Sequence, residues 1–184
     1  TREGGVMRLE NLIAQINDAV YNKIMENRSV SEEEAKETAR IVGLAALKYG
    51  DLSNQASKDY IFDIDRFASF EGNTGPYVLY TIVRIKSIIE KHKAENGNIS
   101  DLTIKAYDNP EQIQLMLEIA KANEVIENAA KELAPHKICS YVYDLSNAFN
   151  RFYHGTKILA EEDGDKKASY IALITLTKEV LETC

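Results

Sequence analysis

The chain has 184 residues, of which 45% are hydrophobic and 28% are charged, so it can bury a core, and a disordered chain is excluded. This length suits one domain, or one domain with an appendage. A net charge of −7 argues against indiscriminate adhesion to nucleic acids or membranes, although a local basic face would still allow phosphate contacts.

Cysteine, histidine and apolar patterns narrow the class of protein further. Cys139 and Cys184 form no C-x-x-C pair, and the three histidines are too scattered for a zinc site. No disulfide framework, membrane-spanning run or signal peptide is indicated, so we expect a cytoplasmic protein without a metal or a membrane partner. The chain begins at Thr1 without an initiator Met, and "KEVLETC" stops inside an apolar-periodic helix, so we expect a piece of a longer protein.

The N-terminal part is predicted to contain helices and at most two short strands. "VMRL", residues 6–9, is a strand candidate, and helical spacing of apolar residues predicts a helix over 9–28. Ser31 and Glu34 form a capping box for the next helix, which Gly50 is expected to end. "DYIFDID", residues 59–65, alternates well enough for a strand that could pair with 6–9.

A turn rich in Gly and Pro precedes the next helix, in "SFEGNTGPYVLYTIVRIKSI", residues 69–88. Thr74 or Gly75 is expected to cap this helix, and Pro76 fits the first turn, where no N–H is needed. Gly97 is a plausible stop signal.

The C-terminal half is predicted to be helical throughout. Asn109, Pro110 and Gln112 form a cap for one long helix over 111–133. Pro135 opens the next helix, and a polar loop at 160–167 leads into the last one. Long amphipathic helices joined by short loops predict an all-α fold, a helical bundle.

The predicted helix over 135–153 has two distinct faces. Apolar residues three or four positions apart form a core stripe, namely Ile138, Tyr141, Val142, Leu145, Ala148, Phe149 and Phe152. A second stripe mixes aromatic, hydroxyl, amide and cationic groups, namely Cys139, Tyr143, Ser146, Asn150, Tyr153 and Lys157. Such a face suits stacking of unpaired bases and hydrogen bonds to their edges. An aromatic stripe on a bundle helix is nonetheless more often part of the core, with its hydroxyls at the rim.

Cations are concentrated on two predicted helices of this acidic chain. Residues 84–93 contain one anion, Glu90, and four cations, namely Arg84, Lys86, Lys91 and Lys93. Residues 134–159 contain one anion, Asp144, and three cations, namely Lys137, Arg151 and Lys157. These clusters are either solvated helix faces or contacts for RNA phosphates.

No catalytic constellation is indicated by the residues. His136 and His154 are too far apart for an i,i+4 zinc pair, and no phosphate-binding Gly-rich loop of a known type is present. Cys139 is expected to be a buried structural thiol and not a nucleophile. Asp63 and Asp65 could hold a metal, but turn and capping roles are the favoured interpretation.

Two long stretches resemble class I arginyl-tRNA synthetases. Residues 43–88 resemble the segment with the pattern G-x-x-A-x-K-Y-x-D-L-S, D-Y-x-F-D and S-F-E-G-N-T-x-P-Y-x-x-Y-x-x-x-R, which links the catalytic core to a helical anticodon-binding domain of the DALR type. Residues 134–159, "APHKICSYVYDLSNAFNRFYHGTKIL", resemble the P-H-x-x-x-x-Y-x-Y-x-L and F-x-x-F-Y helix of that domain. The resemblance implies a tail of the catalytic core over 1–74 and the anticodon-binding domain over 75–184.

The resemblance also implies an activity for the full-length enzyme. Arginine would be activated with ATP and Mg²⁺ and transferred to tRNA(Arg), whose anticodon stem-loop is the expected partner. The H-I-G-H motif is absent here, and Thr1 and Arg2 are the tail of an incomplete ATP signature loop, so we expect no aminoacylation by this chain alone and no cofactor in it. Tyr170 stands where the family commonly has an arginine.

The polar stripe and the basic clusters, together with this resemblance, give seven candidate residues for binding RNA. Tyr153 is expected to stack on a splayed loop base, Asn150 to read a base edge, and Arg151 to contact a phosphate. Arg84 and Lys86 are expected to contact the tRNA backbone, and Tyr143 and Lys157 of the polar stripe complete the set.

Two further expectations follow from the residues. The alternative function is a helical scaffold bundle that binds proteins and has no RNA contact. If residues 1–66 served a catalytic core, their apolar positions would be exposed without it, and a non-native dimer through this surface is expected.

Overall fold

The computed structural model of the protein describes residues 8–26, 30–97 and 103–184. Within these ranges the chain forms helices and no strand, which confirms the all-α prediction. The helices are α1 (Leu9–Glu26), α2 (Glu32–Leu52), α3 (Ile64–Phe67), α4 (Gly75–Asn96), α5 (Pro110–Ala120), α6 (Ala122–Lys131), α7 (Pro135–Gly155) and α8 (Gly164–Thr183). No helix in the described ranges has the length and apolarity needed to cross a membrane.

The chain divides into two compact units, Thr1–Leu79 and Tyr80–Cys184. In the first unit, α1 and α2 pack on each other around a small apolar core. This core consists of Ile16, Val20, Ala39, Val42, Ala46 and Ala68. The predicted cap of α2 is confirmed, because the backbone N–H of Glu34 donates to Ser31 Oγ at 3.3 Å.

The prediction that Gly50 ends α2 is wrong. The helix continues to Leu52, and Gly50 is buried within it. A Cβ at Gly50 would lie 2.9 Å from the ring of Phe67, so the residue is small because an aromatic ring packs directly on the helix backbone. Close packing and a helix stop both favour glycine, and the local sequence does not distinguish them.

The strand predicted over 59–65 does not form. Residues 59–63 have no regular structure, and α3 begins at Ile64. Asp63 Oδ1 accepts a hydrogen bond from the backbone N–H of Arg66 at 3.1 Å, which confirms its capping role and starts a helical turn instead. Of the other strand candidate, residues 6 and 7 lie outside the described ranges, and Leu9 begins α1.

The turn ahead of α4 is held by Thr74, which is buried. Its hydroxyl donates to the carbonyl oxygen of Ser69 at 2.6 Å and accepts from the backbone N–H of Tyr77 at 3.3 Å. The sequence left Thr74 and Gly75 as two candidates for the cap of α4, and Thr74 is the residue that caps it. The helix ends at Asn96, and Gly97 follows with a φ of 77°, as a glycine stop requires.

In the second unit α7 is the central helix and contacts α5, α6 and α8. The prediction of one long helix over 111–133 is wrong, because the helix is interrupted at Lys121 and two helices, α5 and α6, form instead. The hydroxyl of Tyr141 donates to the carbonyl oxygen of Glu118 at 3.2 Å. Glu118 lies in the last turn of α5, so a side chain of α7 bonds to the backbone close to the point where the helix is interrupted.

The predicted helix starts in this unit are largely confirmed. Asn109 Oδ1 accepts from the backbone N–H of Gln112 at 3.0 Å, and Pro110 begins α5. Pro135 begins α7 as expected. The loop predicted over 160–167 is too long, because the Asp163 side chain caps α8, which starts at Gly164.

Candidate nucleic-acid interface

A groove with a volume of about 740 Å³ lies within the second unit, between α4 and the C-terminal end of α7. Its α4 side is formed by Tyr80, Val83, Arg84, Ser87, Ile88 and Lys91. Its α7 side is formed by Tyr153, His154 and Gly155, and residues 156–160 complete it. None of these lining residues carries a carboxylate, although the whole chain has a net charge of −7.

Planar side chains are stacked along one side of the groove. The Arg84 guanidinium carbon lies 4.8 Å from the ring centroid of Tyr80 and 5.0 Å from that of Tyr153. The ring of Phe149 stacks on Tyr153 with centroids 6.0 Å apart and an angle of 22° between the planes. Phe149 is fully buried, so the stack is anchored in the core and reaches the surface at Tyr80.

A hydrogen bond fixes the orientation of Arg84 within this stack. Its Nη1 donates to Asn150 Oδ1 at 2.6 Å. Asn150 Nδ2 in turn donates to Thr81 Oγ1 on α4 at 3.4 Å. A guanidinium placed over aromatic faces gains cation–π attraction, and the bond to Asn150 keeps its plane in one position.

Two lysines lie at the rim of the groove. Lys91 and Lys157 are exposed and line it, and in the described part of the chain neither forms an ion pair with a carboxylate. With Arg84 they place three cations among the described lining residues, none of which is a carboxylate. The formally charged side chains among these lining residues are therefore all cationic, which suits contact with a polyanion.

The structure brings together four of the RNA-binding residues expected from the sequence. Arg84, Tyr153 and Lys157 line the groove, and Asn150 is bonded to Arg84. The other three lie outside this cluster. Arg151 is exposed on α7, Tyr143 is half-buried, and Lys86 pairs with Glu182 of α8 at 2.7 Å.

The expected ATP-loop residues, Thr1 and Arg2, fall outside the described ranges.

The polar stripe of α7 is only partly a surface. Cys139 and Ser146 are buried, whereas Asn150 is half-buried and Tyr153 is 37% exposed. Burial raises the pKa of the Cys139 thiol to about 11, as a structural cysteine requires. The core stripe is as predicted except for Ile138, which is half-exposed.

Sequence reasoning missed several groove residues. Tyr80 lies four positions before Arg84, and this i,i+4 spacing could have indicated an aromatic–cation pair on α4. No sequence signal marks residues 156–160, which depend on tertiary contacts. Asn109 Nδ2 donates to Thr156 Oγ1 at 3.0 Å and so ties the start of this segment to the cap of α5.

The side chains that line the groove can contact a ligand by stacking and by charge. Stacked rings offer surfaces to an unpaired base, and the lysines offer contacts to phosphates. Across residues 8–26, 30–97 and 103–184, no group of three or more His, Cys, Asp or Glu side chains is arranged to hold a metal ion.

Comparison with known proteins agrees with this division of the chain. A model of the "DALR anticodon binding domain" matches residues 78–184, and one of the "tRNA synthetases class I (R), catalytic domain" matches residues 1–64. The chain is 62% identical to an arginine–tRNA ligase of Agathobacter rectalis and 58% identical to one of Alkaliphilus oremlandii. It aligns over its full length but spans only 32% and 31% of these relatives.

Solved structures show the same architecture. The arginyl-tRNA synthetase of Plasmodium falciparum matches 97% of the chain with a TM-score of 0.84 and 27% identity, over 32% of its own length. The Thermus thermophilus arginyl-tRNA synthetase gives a TM-score of 0.84 over 98% of the chain and 31% of its own length, at 23% identity, which supports the fold alone. Because the first domain model covers more than half of the sequence, the chain belongs to the DALR anticodon binding domain family.

Proposed function

We propose that the chain binds the anticodon stem-loop of tRNA(Arg) as part of a cytoplasmic arginine–tRNA ligase, which attaches arginine to tRNA(Arg) using ATP. The observation that carries this proposal is the groove beside α7, where stacked planar side chains lie next to Lys91 and Lys157. Neither lysine forms an ion pair within the described ranges, and the described lining residues include no carboxylate. The names of the relatives, which are arginine–tRNA ligases, support the choice of tRNA.

The two parts of the chain have different roles in this proposal. Residues 1–74 form the tail of the catalytic core, and residues 75–184 form the anticodon-binding domain. The matched segments, 1–64 and 78–184, support a boundary between them. ATP and Mg²⁺ serve the catalysis of the longer protein, with Thr1 and Arg2 at the end of its ATP loop, and RNA binding by the second part needs neither.

Each groove residue has a proposed contact. Tyr153 stacks on an unpaired loop base, while Lys91 and Lys157 contact phosphates and give affinity without sequence choice. Arg151, which is exposed on α7, contacts the backbone beside them. Asn150 is better suited to holding Arg84 than to reading a base edge, because its carbonyl oxygen already accepts a hydrogen bond from that guanidinium.

Substitution of Tyr153 by alanine tests the stacking role. Loss of one base–aromatic stack costs about 1–3 kcal/mol, so Tyr153→Ala should weaken binding of the tRNA(Arg) anticodon stem-loop about 5- to 150-fold. Tyr153→Phe keeps the ring and should bind like the wild type. The measurement is fluorescence anisotropy of labelled RNA at fixed salt, because phosphate contacts make affinity salt dependent.

Lys93→Ala is the matched surface control for this titration. Lys93 is on α4 but pairs with Glu90 at 2.9 Å and does not line the groove, so its loss should leave affinity nearly unchanged. Equal affinity of Tyr153→Ala and the wild type would refute the stacking role.

The second candidate is a scaffold bundle that binds another protein. It is favoured by exposed apolar side chains on α5, where Leu117 is 56% and Ile113 is 42% exposed. Such a scaffold would show no RNA binding at any salt concentration, so the wild-type titration separates the two functions.

A further inference from the structure

We infer that Asn109 is a positioning residue for RNA binding, which acts through Thr156 on the placement of Lys157 and does not contact the RNA itself. This inference rests on the proposed function, in which Lys157 contacts a phosphate. Asn109 is not among the described residues that line the groove, whereas Thr156 and Lys157 are. Asn109 thus has a second role besides the cap of α5.

The side-chain amide of Asn109 is bonded on both of its ends. Its Oδ1 accepts from the backbone N–H of Gln112 at 3.0 Å, which caps α5. Its Nδ2 donates to Thr156 Oγ1 at 3.0 Å and to the hydroxyl oxygen of Tyr170 at 3.4 Å. Since Tyr170 is buried on α8, the amide is held against two helices of the core and is a fixed partner for Thr156.

Lys157 lies between two anchored residues. Thr156, which precedes it, is bonded to Asn109, and Ile158, which follows it, is buried. The backbone N–H of Ile158 also donates to the carbonyl oxygen of Thr156 at 2.9 Å, so the chain makes a tight turn at Lys157. The Lys157 side chain is exposed and lines the groove. Its starting point is therefore set by the residues on either side.

The far end of this connection, at the start of α8, is held separately. Glu161 Oε1 accepts from the backbone N–H of Asp163 at 3.2 Å, and Glu161 Oε2 pairs with Lys166 Nζ at 3.3 Å. Asp163 Oδ1 accepts from the backbone N–H of Lys166 at 3.0 Å and so caps α8. Loss of the bond between Asn109 and Thr156 would thus release the end that carries Lys157 and leave the start of α8 in place.

A fixed backbone at Lys157 favours a phosphate contact for an entropic reason. A lysine side chain has many rotamers, and ordering it on binding costs free energy. A backbone that is already in place adds no further ordering cost. Without the bond to Asn109, Lys157 would keep its charge but lose its defined position.

Thr156→Val is the variant that removes this bond with the least disturbance. Valine has the same shape without the hydroxyl, and it suits the extended backbone of Thr156, with φ −128° and ψ 126°. Binding of the tRNA(Arg) anticodon stem-loop should weaken by up to about fivefold. The slope of log K against log salt should become shallower by about 0.7, as for Lys157→Ala. Fluorescence anisotropy over a salt series measures both.

Asn109→Ser breaks the same bond from the other side. Serine keeps a helix cap but is too short to reach Thr156, so the loss of affinity and of slope should match that of Thr156→Val. Thr175→Val is the matched control, because the Thr175 hydroxyl donates to the carbonyl oxygen of Ile171 at 2.7 Å within α8 and is not in the lining of the groove. It should bind RNA like the wild type, and circular dichroism checks that all variants fold.

A double-mutant cycle separates positioning of Lys157 from a general effect on the fold. If Thr156 acts through Lys157, Thr156→Val should not weaken binding further once Lys157 is alanine. A purely structural role would lower the affinity of both backgrounds by the same factor.

The outcomes distinguish this inference from the proposed function. If the wild type does not bind the stem-loop, the proposed function fails. If the wild type binds but Thr156→Val keeps its affinity and slope, or weakens the Lys157→Ala variant as much as the wild type, the inference alone is overturned. An unchanged slope in Lys157→Ala would overturn it as well.

Discussion

Phe149→Ala should lower the free energy of unfolding of the second unit by about 3–5 kcal/mol and weaken RNA binding as well. Phe149 is 0% exposed on the central helix, so alanine removes buried surface and leaves a cavity. The same ring stacks on Tyr153, with centroids 6.0 Å apart. Urea denaturation measures the first effect, and RNA titration under conditions where the variant is folded measures the second.

Phe149→Leu is the matched control for this substitution. Leucine fills much of the cavity, so the loss of stability should be smaller than with alanine, but it offers no flat ring to support Tyr153. An unchanged free energy of unfolding in Phe149→Ala would contradict the placement of this side chain in the core.

Gly75→Val should destabilise the first unit by about 3 kcal/mol, at the upper end of what overpacking costs. A Cβ at Gly75 would lie 2.5 Å from the carbonyl oxygen of Ala45 and 3.0 Å from the Cβ of Tyr49. Because the nearer obstacle is backbone in the middle of α2, it cannot rotate away as a flexible side chain would. Thermal unfolding followed by circular dichroism measures the effect.

Gly72→Ala in the same turn is the control for this steric argument. Gly72 has a φ of 79°, but no atom lies within 4 Å of its Cβ position. Alanine should therefore cost only the strain of the left-handed conformation, about 1–2 kcal/mol. If Gly75→Val were as stable as Gly72→Ala, the close approach of the Gly75 backbone to α2 would be wrong.

Local rules predicted most helix starts, because a cap is a contact between residues three positions apart. Ser31, Asn109 and Thr74 each accept the hydrogen bond that the sequence suggested. Errors occurred where a distant residue decides the structure. Gly50 accommodates the ring of Phe67, and the break at Lys121 coincides with a hydrogen bond from Tyr141.

The candidate site shows the same limit. Helical spacing and family resemblance predicted Tyr153, Asn150 and Arg84, which the structure joins into one cluster. Spacing could not show that Lys86 pairs with Glu182 on α8, nor that residues 156–160 close one side of the groove. Both depend on contacts between helices that are far apart in the sequence.

The most direct measurement of the central claim is a binding titration of the wild-type chain with the tRNA(Arg) anticodon stem-loop and a non-cognate stem-loop over a series of salt concentrations. We expect saturable binding that favours the cognate loop and weakens steadily as salt rises, because released counterions drive phosphate contacts. Absence of binding even at the lowest salt concentration would contradict the proposal that this groove binds RNA.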